Sequence, residues 1–441
     1  MGNLFGKDCP EQKKNKKHGA GVGWNPAAAG GGSVTRGALD KGNLNPSDFI
    51  FSRKQKEVIV REPGSIGGQQ FIVEECSECE VYLLDHTAAL TIDLCTDCRI
   101  IVGPCESRQD ASKAVVWVLF SKNNTSVFIR DCKDCTVVVA CQQFRARDCT
   151  DCTFFLFSAT QPVIESSVGL RFACYTLDYF SLAGQFAAAK LSVWNNKWSQ
   201  IYNFTGGGEG DWSCLPEGSH HRDFTTRSLP RASRQRVGYT ENTHGAVVPI
   251  TAGMRGFTEA EETCFIVVMP GHIDAVLGKL LAVGGGGDSP ISATTSRLLR
   301  TKLFRPQMAQ SKTFFSGAPS SMAELASSFP VLGMQWAGPG SAEAAVSLLA
   351  AAGVSIPPSP ATPPPPPPNE SSATKGKNPK ENANNSADIG AGNGTSEYYM
   401  VAGRGDGGGN DDGRSGSESS AAKARVFFEQ WDEDKGKPLG S

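Results

Sequence analysis

The sequence holds no run of about eighteen apolar residues, so no helix able to cross a bilayer is expected. No apolar stretch precedes a small-residue cleavage site near Met1, so no secretory leader is expected either. Net charge of one sign is also missing: 43 Lys+Arg stand against 45 Asp+Glu, a formal charge of −2. A nucleic-acid-binding chain carries a strongly basic footprint, so nucleic acid is not an expected partner. The hydrophobic share is a modest 39% over 441 residues, which suits two or three domains with unpacked stretches between or beside them. What is plentiful agrees with that. The 49 Gly and 26 Pro exceed a sixth of the chain, too many for one continuous core. With no export signal, the 14 cysteines read as reduced thiols of a cytosolic protein.

Composition divides the chain. Residues 1–45 read as a flexible basic arm: Lys13, Lys14, Lys16 and Lys17 lead into Gly-, Ala- and Asn-rich sequence without apolar periodicity. Residues 353–441 read as a disordered tail, with the polyproline run Pro363 to Pro368 followed by Asn, Ser, Gly and Asp. Near its end Val426, Phe427, Phe428 and Trp431 cluster, either a short docking motif or part of a featureless tail. Between the arms, residues 46–215 are rich in short β-type runs. Residues 216–261 read as a connector. Residues 262–352 alternate strand and helix patterns: strands from Cys264 and Val331, helices over Ile273 to Val283 and Ser341 to Ala352. That alternation predicts a small α/β domain.

The β-rich region repeats. Four Cys-x-x-Cys units, Cys76/Cys79, Cys95/Cys98, Cys132/Cys135 and Cys149/Cys152, each sit between two β-type runs, with first cysteines 19, 37 and 17 residues apart. Two Cys-x-x-Cys arms can cage a zinc ion tetrahedrally. A repeat of about 19 residues with the same turn after the same strand is also what a β-solenoid requires, with corresponding cysteines stacked as small buried side chains at a corner. Even spacing and matching strands favour the solenoid, and no metal ligands are assigned. Residues 106–124 interrupt the period and read as an insertion.

The stretch Cys141-Gln-Gln-Phe-Arg-Ala-Arg-Asp-Cys149 carries the most chemistry. Side chains alternate along a strand, so Phe144 and Ala146 should point inward while Gln143, Arg145 and Arg147 share the outer face. By periodicity alone these three are a solvated polar stripe. An arginine on a rigid strand can instead be aimed at a phosphate.

This stretch does not stand alone. Together with Gly64-Ser-Ile-Gly-Gly-Gln-Gln-Phe71, Asp85-His86, Thr91-Ile-Asp93, Gly103-Pro104, Ala159-Thr-Gln-Pro162, Ile164-Glu-Ser-Ser167 and Leu191-Ser-Val-Trp-Asn-Asn-Lys-Trp198 through Phe204, it resembles the tubulin-folding cofactor C domain family over about 150 residues. The resemblance implies a right-handed β-helix and a GTPase-activating role towards an ARF-like small GTPase in its GTP form. GTP and Mg would belong to that partner, with no cofactor of the chain's own and no independent substrate turnover. Arg145 matches the family's arginine finger, Gln143 a glutamine on the same face, and Glu165 the acidic residue that positions the arginine. Thr160 and Gln161 match residues near the site, and Phe204 matches an aromatic that contacts the GTPase. Arg147, on the same face, is the internal competitor for the finger role. The insertion at 106–124 departs from the family pattern.

The resemblance also frames the two ends. Met1-Gly2-Asn-Leu-Phe-Gly6-Lys7 begins like a myristoylation signal at Gly2, although Gly6 stands where Ser or Thr is usual. One myristoyl chain binds membranes only marginally; Cys9 could take palmitate, and the nearby lysines attract anionic lipid at about 1 kcal/mol each. A second domain in the family resembles nucleoside diphosphate kinase without its activity, which implies a ferredoxin-like α/β fold here. His244 and His272 sit in no motif like that enzyme's phosphorylated histidine, so an interaction role is expected. By resemblance the chain belongs at the cytoplasmic face of the plasma membrane, at the ciliary or flagellar base, and in the cytoplasm, in traffic of lipidated proteins to the cilium. Two other readings are activation of tubulin GTP hydrolysis by the same Arg145, and a non-catalytic scaffold that binds the GTP form.

Overall fold

The structure, a computed structural model, describes residues 45–106, 126–355, 397–404 and 420–430, apart from 207, 209, 226–228, 240–246, 255, 259–260, 284–295 and 317. Gly2, Cys9, the basic arm and the interruption at 107–125 lie outside the described residues.

Residues 50–214 wind through fourteen short strands, two to a coil. They are β1 (Ile50–Ser52) and β2 (Val58–Arg61), β3 (Phe71–Glu74) and β4 (Glu80–Leu83), β5 (Leu90–Asp93) and β6 (Arg99–Cys105), and β7 (Val127–Arg130) and β8 (Thr136–Cys141). There follow β9 (Phe144–Arg147) and β10 (Thr153–Ser158), β11 (Val163–Glu165) and β12 (Leu170–Cys174), and β13 (Tyr202–Asn203) and β14 (Trp212–Cys214). Odd strands form one seven-stranded sheet and even strands another, and the neighbours in each run parallel. These are the two walls of a β-solenoid, the coil that the 19-residue repeat predicts. The ladder passes from β5 directly to β7, Leu90 opposite Val127, so the coils keep their register across 107–125.

The corners explain the Cys-x-x-Cys units. Glu75 and Glu78, Leu94 and Asp97, Asp131 and Asp134, and Asp148 and Asp151 all adopt left-handed backbone with φ of 51–54°, each immediately before a cysteine of a pair. Aspartate enters that region more readily than most residues. Two such kinks three residues apart turn the chain and drive both thiols inward. Each buried thiol donates to a backbone carbonyl two residues earlier, as Cys132 Sγ does to Arg130 O at 3.2 Å. The turns bridge in sequence, Ser77 to Thr96 to Lys133 to Thr150, which aligns the cysteines in two columns. Among the described residues, no group of three or more His, Cys, Asp or Glu converges as a metal site would need.

The walls differ in burial. Strands β3, β5, β7 and β9 alternate buried with half-buried residues, so one face is core and the other is surface. Strands β4, β8 and β10 are buried throughout, as the apolar runs Val137–Ala140 of β8 and Phe154–Phe157 of β10 demand. Their outer face is covered by α1 (Leu182–Ala188), α2 (Arg231–Val237) and the chain around them, through a second core that includes Tyr82, Phe155, Phe186, Leu229 and Val237. The stretch 216–261 is thus more than a connector: Leu229, Val237 and Val248 form part of that cover.

The C-terminal domain runs β15 (Glu262–Val268), α3 (Ile273–Val283), β16 (Arg297–Phe304), α4 (Met308–Phe314), α5 (Ser320–Ser328), β17 (Val331–Ala337) and α6 (Ser341–Ala351). It is completed by β18 (Tyr398–Arg404) and α7 (Ser420–Arg425), the latter widening into a π turn over Val426–Gln430. Strand order β16-β17-β15-β18, all antiparallel, is a split β-α-β arrangement. The expected boundary at 352 and the expected tail from 353 both need correction. Strand β18 pairs along the whole of β15, and Phe427 and Phe428 are buried against Phe265 and Phe314. Phe427 and Phe428 therefore dock on their own domain, while Trp431 lies outside the described residues. His272 sits just before α3, with Nε2 3.6 Å from Glu397.

The two domains share one segment. Trp198 packs into the solenoid core, while Trp194, four residues earlier, is buried in the core of the α/β domain. Asn195 hydrogen-bonds both backbone groups of Leu303, and Thr301 Oγ1 donates to Trp194 O at 2.7 Å.

Candidate functional site

The alternating wall presents its outer face to solvent, and β9 lies within it. Phe144 and Ala146 are buried, while Arg145 and Arg147 are half-buried on the outside. Register puts Phe128 of β7 beside Arg145, with Val163 of β11 on its other side and Tyr202 of β13 one strand further. Two strand spacings place Tyr202 roughly 10 Å from Arg145.

Glu165 stands directly opposite Arg147, yet its Oε2 accepts from Arg145 Nη2 across the diagonal. Arg147 turns to its exposed neighbour Asp148, with Nε 2.9 Å from Oδ2. The two arginines therefore differ in kind. Arg145 is 29% exposed, tied by a carboxylate that is itself 23% exposed, and its buried Nε has no hydrogen-bond partner among the described residues. Arg147 is 38% exposed and its ion pair lies in solvent. Both guanidinium carbons lie 5.9 Å from the centre of the Phe128 ring, a cation–π contact that limits how far either side chain can swing. Arg130 adds a third cation opposite Arg147, but its charge is matched by Asp93, and that hydrogen bond raises its pKa further.

The remaining residues singled out in the sequence surround this point. Gln143 precedes β9, half-buried, and its backbone is fixed by Ser126, whose Oγ accepts from its N–H at 2.8 Å and donates to its carbonyl at 3.0 Å. Thr160 anchors the next coil at the same edge by donating Oγ1 to Gln142 O at 2.9 Å, and Gln161 beside it is exposed. Phe204 is 62% exposed and makes an edge-on pair with Tyr202, their ring centres 6.4 Å apart. One face thus gathers Gln143, Arg145, Arg147, Thr160, Gln161, Glu165 and Phe204. Phe128 and Tyr202 escaped the sequence reading as members of it. Strand alternation could have found Phe128, since in Val127-Phe-Ile-Arg130 it is the apolar residue facing out.

A cation on a strand, held by a carboxylate and flanked by the half-buried Phe128, with Tyr202 and Phe204 exposed nearby, has the chemistry to bind an anionic group. The solenoid is that of a tubulin binding cofactor C domain: the family model of that description matches residues 68–113 and 115–204. Over a longer span the chain is 36% identical to Protein XRP2 of Danio rerio, across 305 residues that make up 68% of this chain and 74% of that protein. It is 33% identical to Protein XRP2 of Gallus gallus, covering 78% and 88% of the two chains. Tubulin-specific chaperone C of Homo sapiens is 28% identical over 182 residues, 40% of this chain and 47% of that one. The chain belongs to the XRP2 family and carries a cofactor C domain.

Proposed function

We propose that this protein is a GTPase-activating protein for an ARF-like small GTPase in its GTP form, with Arg145 as the arginine finger. One observation carries the reading: Arg145 is the cation of this face that a half-buried carboxylate on the neighbouring strand holds in place, whereas Arg147 pairs with an exposed neighbour. Glu165 holds one terminal nitrogen, and the buried Nε has no acceptor among the described residues. Hydrolysis of GTP spreads negative charge over the γ-phosphoryl and bridging oxygens, and a guanidinium delivered there from outside is worth roughly 10³–10⁵-fold, or about 4–7 kcal/mol. GTP and Mg come with the partner. Gln143 and Glu165 would complete the catalytic set with Arg145, Thr160 and Gln161 would contact the partner, and Tyr202 with Phe204 would supply an apolar anchor beside the finger.

The second reading, activation of GTP hydrolysis on tubulin, draws support from the identity with tubulin-specific chaperone C. Single-turnover hydrolysis across a panel of ARF-like GTPases and tubulin, with the unmutated chain and Arg145→Ala, decides between them. Acceleration by one partner that disappears in the variant supports the finger. Tight binding of a GTP form with no acceleration by any partner sinks it and leaves a scaffold.

We further propose a membrane tether of myristate at Gly2, reinforced by palmitate at Cys9 or by the basic arm, which would place the protein at the cytoplasmic face of the plasma membrane and the ciliary base, serving traffic of lipidated cargo. The α/β domain, with a nucleoside diphosphate kinase-like fold but without kinase activity, would act there as an interaction module. Radiolabelled myristate should enter the unmutated chain and not Gly2→Ala; an unlabelled wild type removes the tether.

A further inference from the structure

Where the solenoid meets the α/β domain there is a cleft of about 430 Å³. It is lined by five cations, Lys190, Lys197, Arg300, Lys302 and Arg305, and its lining holds no carboxylate among the described residues, although Lys190 at the rim pairs with Glu106 at 2.7 Å and Lys302 donates to the carbonyls of Phe427 and Phe428. Like charges gathered in one recess repel, and burial strengthens the repulsion. Arg300 is the most deeply placed of the five. Its side chain is 9% exposed, its Nε donates to Gln335 Oε1 at 2.8 Å, and its Nη1 forms a long ion pair, 3.6 Å, with the half-exposed carboxylate of Glu429 outside the cleft lining. Burial pushes its pKa down to about 10 against the pull of Glu429. The walls are rigid, since the segment carrying Lys197 is fastened to β16 through Trp194 and Asn195. The cations are thus held together by the fold of both domains.

We propose that this interdomain cleft binds a small polyanion with clustered phosphate groups. Its volume is that of a small-ligand site, and five cations confined to a recess differ from the extended basic stripe that nucleic acid needs. Arginine forks combined with lysine point charges suit phosphate oxygens. A nucleobase is a poor occupant. Arg300 already covers the face of Phe428 at 4.2 Å and Lys302 that of Phe304 at 4.9 Å, so the aromatic surfaces are taken. What remains is ionic chemistry, which either a free inositol polyphosphate or the headgroup of a phosphoinositide can supply.

The test titrates inositol hexakisphosphate and pyrophosphate into the full chain by calorimetry, and sediments it with phosphatidylcholine vesicles with and without phosphatidylinositol bisphosphate. The variant is Lys190→Gln with Arg305→Glu; both positions are exposed and the amide at 190 can still donate to Glu106, so the fold should keep its Tm. Arg145→Ala serves as a control outside the cleft. Salt-sensitive binding that weakens at least about tenfold in the double variant, but not in Arg145→Ala, supports the site. Soluble binding without vesicle recruitment assigns a free ligand, whereas recruitment lost in the double variant assigns a headgroup. Equal binding by the double variant overturns the proposal, as does absence of binding in every arm.

Discussion

Arg145 and Arg147 sit two residues apart on the same face, and the chemistry proposed for one is open in principle to the other. Their partners separate them. Glu165 crosses the ladder diagonally to hold Arg145, whereas Arg147 is paired with a solvent-facing neighbour. A guanidinium restrained before its partner arrives loses less freedom on docking, so the finger's efficiency should depend on Glu165 as well as on Arg145. Glu165→Gln keeps shape and one acceptor oxygen but removes the charge. It is expected to slow single-turnover GTP hydrolysis by about tenfold with little change in partner affinity. Arg147→Ala should stay within about threefold of wild type, since it removes a cation whose charge is already matched. If Arg147→Ala proved the more damaging, the roles of the two arginines would have to be exchanged. Arg145→Lys should behave nearly as Arg145→Ala, because a lysine lacks the planar fork that reaches both Glu165 and a phosphate.

The strands and corners are where the sequence speaks most directly, and where its limits show. The contrast between alternating runs such as Val127-Phe-Ile-Arg130 and unbroken ones such as Thr153-Phe-Phe-Leu-Phe-Ser158 already separates the exposed wall from the covered one. The residue before each repeated cysteine marks the left-handed corner. Asp134 is exposed and has φ of 54°, so its side chain isolates the backbone effect. Asp134→Gly should be close to neutral in chemical denaturation, and Asp134→Val should cost about 1–2 kcal/mol. Equal stabilities would mean the corner does not depend on that conformation. Strand β18 and α7 were not legible, because nothing local marks them. Tyr398–Arg404 is a short run whose partner, β15, lies more than a hundred residues earlier, and Phe427 finds its place only in the finished domain. That place is over Gly333, where an added Cβ would collide with the Phe427 ring. Gly333→Ala should destabilise the α/β domain by about 1–3 kcal/mol through overpacking, and Phe427→Ala by about 3–5 kcal/mol through the void it leaves. The double variant should cost less than the sum, since the alanine at 333 grows into that void. Strict additivity would show that the two do not touch.

At the scale of the whole molecule, two buried titratable groups lie where separate layers join, and they fix how the fold responds to acid. His221 lies under the cover of the even-stranded wall, its Nδ1 2.8 Å from Thr176 Oγ1 and its Nε2 3.1 Å from Tyr239 Oη. Burial, with the charges of His220 and Arg222 adding to it, holds its pKa well below the usual imidazole range. Asp85 closes another joint, accepting from the backbone N–H groups of Ile66 and Gly67, both at 2.8 Å. Burial raises its pKa, but hydrogen bonds from His86, Gly67, Ile66 and Gly64 outweigh that and leave it lowered. In both cases the unfolded chain takes up the proton more readily, so stability rises with pH. The windows differ. The contribution of His221 is complete above its unfolded pKa of about 6.5 and is lost below it, at up to about 1.4 kcal/mol per pH unit. That of Asp85 holds down to about pH 4 and is lost only below. Thermal melts of the full chain should therefore show Tm falling in two steps on acidification. His221→Gln, which can still hydrogen-bond but cannot take a proton, should remove the step below neutrality and leave the acid one. Asp85→Asn should lower Tm near neutrality, since an amide cannot accept all the bonds of the carboxylate, and should flatten the acid step. A His221→Gln profile that kept both steps would place the near-neutral titration on another group and free the cover over the wall from any role in it.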